Sequence, residues 1–256
     1  MFTQAIVRPP APNFSEGLTT SALGTPDYRR ALHQHDAYCA ALERCGLTVT
    51  KLEPDERYPD SCFVEDAAIL TGRGAVLTRP GAASRVGEIE GVRGALAQFF
   101  PSLREIGPPG TLDGGDICEA GDHFFIGLSR RTNEEGARQL AAILAALGYT
   151  SKVVDIKGVD GILHLKSAVA YPGGNRLVVT EAIADHGEFA GYEIVKVNRG
   201  DEYAANCLRV NHHVLVAAGF SNFEKKLGEF GYQTISLEMS EFQKMDGGLS
   251  CLSLRF

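Results

Sequence analysis

A chain of 256 residues with 44% hydrophobic content carries enough apolar side chains to bury a large core as one domain, residues 1–256, which excludes a disordered polymer. Its net charge of -7 is spread along the chain without a basic block, so RNA and other polyanions are poor partners and a small cation suits it. No apolar leader follows Met1, the apolar run Leu140 to Leu147 is too short to span a bilayer, and the six cysteines form no C-x-x-C pair or secreted disulfide framework, so a cytoplasmic, membrane-free protein is expected.

Residues 4–8 read as a strand. Thr25 as N-cap, Pro26 in the first position and Gly46 past the end frame a helix over 26–45, and 47–52 is a second strand. The next stretch sets an order that then recurs: a strand at 62–66, the Thr71-Gly-Arg-Gly turn, a strand at 75–78, a helix over 84–99 and a strand near Leu103. It returns with Asp116-Ile-Cys, a turn at Gly121-Asp122, Phe124-Phe-Ile, a helix opened by a Thr132/Glu135 capping box and a strand at 152–156. A third round pairs 163–171 with 176–180 across Pro172-Gly-Gly-Asn and has the faintest helical pattern. The fourth pairs 207–211 with 214–218, then a helix over 221–230 and a strand at 233–237. Strand 249–254 finds its continuation in 4–8, so both termini build the fifth round.

The rounds start about 43 to 54 residues apart, which predicts a closed radial array of α/β units. A two-layer α/β sandwich remains open on spacing alone. In a radial array, equivalent strand ends meet at the axis. Glu65 and Asp66, Asp113 and Asp116, His164, Asn206 and Cys251 occupy those places. A thiol with an imidazole and an orienting carboxylate attacks planar sp² carbon, and paired carboxylates accept the flat N–H fork of a guanidinium. Each residue also has a plain structural reading: Cys251 and His164 as strand residues, Asp113 and Asp116 as turn caps around Gly114-Gly115, and Asn206 as a structural amide. His33 and His35, two apart on a helix, face different directions, and no phosphate-binding glycine loop precedes a helix.

Several ordered blocks are similar to the dimethylarginine dimethylaminohydrolases of the guanidino-modifying superfamily: Gly17-Leu-Thr-Thr-Ser, Pro59-Asp-Ser-Cys-Phe-Val-Glu-Asp, Thr111-Leu-Asp-Gly-Gly-Asp, Arg131-Thr-Asn, Leu163-His-Leu-Lys, Ala204-Ala-Asn-Cys and Asp246-Gly-Gly-Leu-Ser-Cys. The resemblance covers nearly the whole chain. It implies a pseudo-fivefold α/β-propeller of five ββαβ units closed by the N- and C-terminal strands, and hydrolysis of asymmetric dimethylarginine or monomethylarginine to citrulline and an amine. It makes Cys251 the nucleophile, His164 the general acid and base, and Asp113, a position where members carry aspartate or glutamate, the carboxylate that aligns imidazole and guanidinium. Asp66 and Glu65 would bind the guanidinium side, Leu18 and Asp60 the amino end, Arg85 and Arg131 the α-carboxylate, and the Met245 carbonyl a further substrate atom. It implies no metal, no cofactor, and a monomer or homodimer. Within the superfamily an arginine deiminase or amidinotransferase would reuse the same groups, and a non-catalytic binding protein shares the architecture.

Overall fold

A computed structural model describes residues 1–256. In chain order it contains β1 (Gln4–Val7), α1 (Tyr28–Arg44) and β2 (Thr48–Lys51), then β3 (Ala68–Thr71), β4 (Gly74–Leu77), α2 (Ile89–Leu96) and β5 (Leu103–Glu105). Next come β6 (Ile117–Ala120), β7 (His123–Leu128), α3 (Glu134–Ala146) and β8 (Thr150–Asp155), followed by β9 (Val169–Gly173), β10 (Arg176–Thr180) and β11 (Glu193–Val197). The chain ends with β12 (Leu208–Val210), β13 (His213–Ala217), α4 (Ser221–Glu229), β14 (Gln233–Leu237), α5 (Ser240–Gln243) and β15 (Leu254–Arg255).

These strands form five three-stranded sheets, each with a middle strand antiparallel to one neighbour and parallel to the other. β1 is the middle strand of the sheet β15-β1-β2, with Ala5 opposite Arg255, so the split fifth repeat is realised. The contacts divide the chain into two compact units, residues 1–64 with 207–256, and residues 65–206. The first holds the sheets β15-β1-β2 and β12-β13-β14, the second the other three. No helix is long and apolar enough to cross a membrane.

Local chemistry accounts for where the elements begin. The turn between β9 and β10 places Gly173, Gly174 and Asn175 at φ of 93°, 65° and 59°, a left-handed run that glycine and asparagine enter without penalty. α1 starts later than expected. Its cap is Asp27, which accepts the Arg30 amide at 2.8 Å, rather than Thr25. α3 is capped by Asn133, which accepts the Gly136 amide at 2.8 Å; the Thr132 hydroxyl and the Glu135 carboxylate expected there are bonded to Asp116 and to Arg138 and Gln139. The third repeat has two 3-10 turns in place of an α-helix, because only twelve residues separate Thr180 from Glu193 and Gly187 and Gly191 interrupt them. Phe189 instead packs its ring 5.3 Å from that of Phe125.

The helices bury the faces their patterns dictate. α3 lays Ala137, Leu140 and Leu144 on a core with Ile69, Val76, Phe124 and Ile126. On α1, His35 is buried and His33 is exposed, as their spacing requires.

The largest departure concerns the reactive residues. Three segments expected to open first strands begin as 3-10 turns, Val64–Ala67, Leu165–Ser167 and Ser250–Leu252, and the turns Gly114–Asp116 and Glu202–Ala205 lead into the other two first strands. An apolar residue beside a polar one reads as strand alternation over so short a run, but a turn closed by i to i+3 bonds presents residues three apart on one side. Five equivalent turns therefore carry Glu65 and Asp66, Asp116, the residue after His164, the residues before Asn206, and Cys251.

Candidate functional site

In unit 65–206, two turns bring their acids to the imidazole carried by a third. Asp66, Asp113 and His164 are buried, and one donor atom from each lies within 4.8 Å of the others. His164 Nε2 is 3.0 Å from Asp113 Oδ2, while Asp113 Oδ1 accepts the Gly81 amide at 2.8 Å. Asp66 Oδ1 accepts the Gly115 amide at 2.8 Å, and its Oδ2 accepts Arg85 Nη1 at 2.6 Å. Arg85 also meets Glu88 two-pronged, Nε to Oε1 at 2.9 Å and Nη2 to Oε2 at 2.8 Å. Lys166 Nζ lies 2.5 Å from Glu65 Oε1. Among these side chains the acids outnumber the bases, so the cluster has capacity for another cation.

Glycine is required beside the ring. A Cβ on Gly115 would sit 2.7 Å from His164 Nδ1 and 2.9 Å from Asp66 Oδ1, closer than carbon can approach either. A Cβ on Gly114 would fall 1.9 Å from the Glu65 carbonyl oxygen. The Gly-Gly step thus lets two turns touch.

Asp66 and His164 set each other's charge. Burial works against ionisation of Asp66, but the His164 and Arg85 charges and the bonds from Arg85 and the Gly115 amide overcome it and hold the carboxyl down at about 2. Burial likewise opposes a charged His164, and the surrounding carboxylates of Asp66, Asp116 and Asp113 reverse that, raising its pKa to about 9. The folded value lies above the ordinary 6.5, so the native state binds the extra proton between these values. Its stabilising contribution is complete below pH 6.5 and disappears as pH rises through 9. The gap in unfolding free energy between wild type and His164→Asn should therefore narrow by on the order of 3 kcal/mol from pH 6 to 9.5, measured by urea titration. A constant gap would contradict a raised imidazole.

In unit 1–64 with 207–256, Cys251 is half-buried on the Ser250–Leu252 turn, and its Sγ accepts the Gly248 amide at 3.4 Å. Ahead of it Asp246 adopts φ of 56°, and its Oδ2 accepts the Thr20 hydroxyl at 3.0 Å and the Thr20 amide at 2.5 Å. Thr19 Oγ1 donates to the Lys244 carbonyl at 2.9 Å, and the Leu18 amide is 3.0 and 3.1 Å from the two oxygens of buried Asp60. Gly17 allows this approach, since a Cβ there would lie 2.5 Å from Asp60 Oδ1 and 3.2 Å from the Met245 methyl. Leu18 itself is 42% exposed.

The expected residues thus fall into two groups. Asp66, Asp113, His164 and Arg85 form one cluster of two bonded pairs, Asp66–Arg85 and His164–Asp113, with Glu65 beside Asp66 on its turn, and Leu18, Asp60, Met245 and Cys251 belong to the other unit. Arg131 is half-buried, and its backbone amide donates to Ser129 Oγ at 2.9 Å. Asn206 donates to the Lys166 carbonyl at 2.9 Å, which makes it a brace for the turn after His164. Sequence reasoning missed Glu88, Lys166, Ser129 and the role of Thr132. The Ser-x-x-Thr step after β7 is the one local signal that could have pointed to the hydroxyl pair.

A family model described as arginine deiminase matches residues 56–214. A dimethylarginine dimethylaminohydrolase of Pseudomonas aeruginosa is 46% identical over 257 residues and covers 100% of both chains. One of Streptomyces coelicolor is 37% identical over 254 residues, covering 98% of this chain and 96% of its own. The solved structure of the Pseudomonas aeruginosa enzyme, a Cys-to-Ser variant complexed with citrulline, matches with a TM-score of 0.97 at 45% identity over 100% of each chain. The five repeats are the units of a pseudo-fivefold α/β-propeller.

Proposed function

Because the chain belongs to the dimethylarginine dimethylaminohydrolase family, we propose that it hydrolyses free N-omega-methylated arginine to citrulline and dimethylamine or methylamine. The observation that carries this reading is a buried imidazole kept protonated among three aspartates, beside an acid-rich cluster that suits a guanidinium. A neutral guanidine carbon is a poor electrophile, so the substrate reacts as its cation, held by Asp66, Asp113 and Glu65. The Cys251 thiolate forms the bond to carbon. With Nε2 bonded to Asp113, His164 delivers the Nδ1 proton to the departing amine, which leaves with the C–N electron pair. A thiouronium remains on Cys251. Neutral His164 then takes a proton from water, the hydroxide adds to the same carbon, and the thiolate departs as citrulline forms.

Leu18 and Asp60 take the amino end and the Met245 carbonyl a further substrate atom. Arg131 and Arg85 take the α-carboxylate, the latter pre-oriented by its fork on Glu88. The experiment is product analysis with asymmetric dimethylarginine, monomethylarginine and arginine. Citrulline and dimethylamine in equal amounts from the first are expected. Because the matching family model is described as arginine deiminase, the arginine arm matters: ammonia from arginine with no dimethylamine from the methylated substrate would replace this reading by deimination. No turnover on any of the three would favour a binding protein.

A further inference from the structure

Asp116 is wholly buried, and no step above uses it. Its Oδ2 accepts the Ser129 and Thr132 hydroxyls, each at 2.6 Å, and its Oδ1 accepts the Leu165 amide at 3.0 Å. Both hydroxyls are themselves acceptors: Ser129 Oγ for the amides of Arg131 and Thr132, and Thr132 Oγ1 for the Asp113 amide at 3.1 Å. Their protons are therefore directed at Asp116, whose two oxygens meet three donors and no acceptor, the environment of an anion.

The arrangement reaches the proton shuttle twice. Leu165 follows His164 directly, so one bond fixes the turn that carries the imidazole. Through Thr132 the same carboxylate fixes the backbone of Asp113, whose side chain holds His164 Nε2. We propose that Asp116 is a positioning residue for this reaction, one that holds both members of the His164–Asp113 pair in register and sets the charge facing the imidazole without contacting substrate. The inference rests on the hydrolase reading for its kinetic effect and on geometry alone for its effect on the imidazole.

The charged groups around His164 are Asp66, backed by Arg85, from the Val64–Ala67 turn, Asp113 and Asp116 from the Gly114–Asp116 turn, and Lys166, paired with Glu65, on its own turn. Burial raises the Asp116 pKa, against the His164 charge and the three donors, which favour its anion. Asp116→Asn removes the charge, keeps the size and turns an acceptor into a donor.

Two readouts test the proposal. Titration of the His164 ring by NMR in histidine-labelled protein should show a midpoint near 9 in wild type and one lower by on the order of 1 pH unit in Asp116→Asn. With asymmetric dimethylarginine, kcat should fall by about 100-fold while KM stays within about 3-fold, since a small misplacement of a catalytic group acts on the chemical step. Thr132→Val keeps the charge but cuts the link to Asp113. It should lower kcat by about 10-fold and speed solvent exchange of the His164 Nε2 proton, with the midpoint unmoved. An unchanged midpoint and unchanged kcat in Asp116→Asn would overturn the proposal. Should that variant fail to fold, wild-type kcat and ring-proton exchange in Thr132→Val would do so. If wild type turns over no guanidino substrate, the hydrolase reading fails, and ring titration and proton exchange still judge Asp116.

Discussion

Cys251→Ser is expected to lower citrulline formation from asymmetric dimethylarginine by at least about 1000-fold while leaving substrate binding measurable by calorimetry. The sulfur is asked to carry negative charge before it attacks, and a thiol of ordinary pKa about 8.5 does so far more readily than an alcohol. Its Sγ accepts the Gly248 amide, and a backbone N–H removes no proton from an alcohol put in its place. The fold should tolerate the change. The site is half-buried and the replacement removes no carbon atom, so a stability change within about 1 kcal/mol is expected by thermal unfolding. Residual activity above a tenth of wild type, with the protein shown free of contaminating enzyme, would remove Cys251 from the mechanism.

The second large effect belongs to His164. His164→Asn should slow release of dimethylamine by about 100- to 10,000-fold, the range for loss of a positioned acid. The loss should depend on the leaving group. An amine departs only with a proton, whereas a thiolate leaves without one, so an S-alkyl isothiourea analogue of arginine should still transfer its amidino carbon to Cys251, expel the alkyl thiolate and be trapped as a thiouronium visible by mass spectrometry. In wild type the imidazole is an acid below about 9 and loses its proton above that value. For the amine substrate kcat/KM should accordingly fall tenfold per unit above pH 9, and this limb should be missing in the variant. An identical alkaline limb in His164→Asn would assign it to another group, and an equal loss for both leaving groups would reassign His164 to binding.

Periodicity reported the repeat well because strands and helices are local: Gly173-Gly-Asn and the pattern of α3 need only their neighbours. The failures are equally physical. The expected caps Thr25 and Thr132 lost to Asp27 and Asn133, and Thr132 was drawn away by a carboxylate sixteen residues before it, a bond that no local rule anticipates. The 3-10 turns at Val64–Ala67 and Ser250–Leu252 were read as strand because three or four residues are too few for alternation to be distinguished from a turn.

The amino-acid sequence by itself determined the repeat, its closure by the terminal strands β15 and β1, and the choice of candidate reactive groups, since each rests on short-range patterning or on chemistry a side chain carries anywhere. Only the tertiary structure decided the charge and register of those groups. Asp66 ionises down to about 2 and His164 holds its proton up to about 9 because burial raises the strength of every neighbouring charge and bond, and which charges are neighbours is settled by turns far apart in the chain.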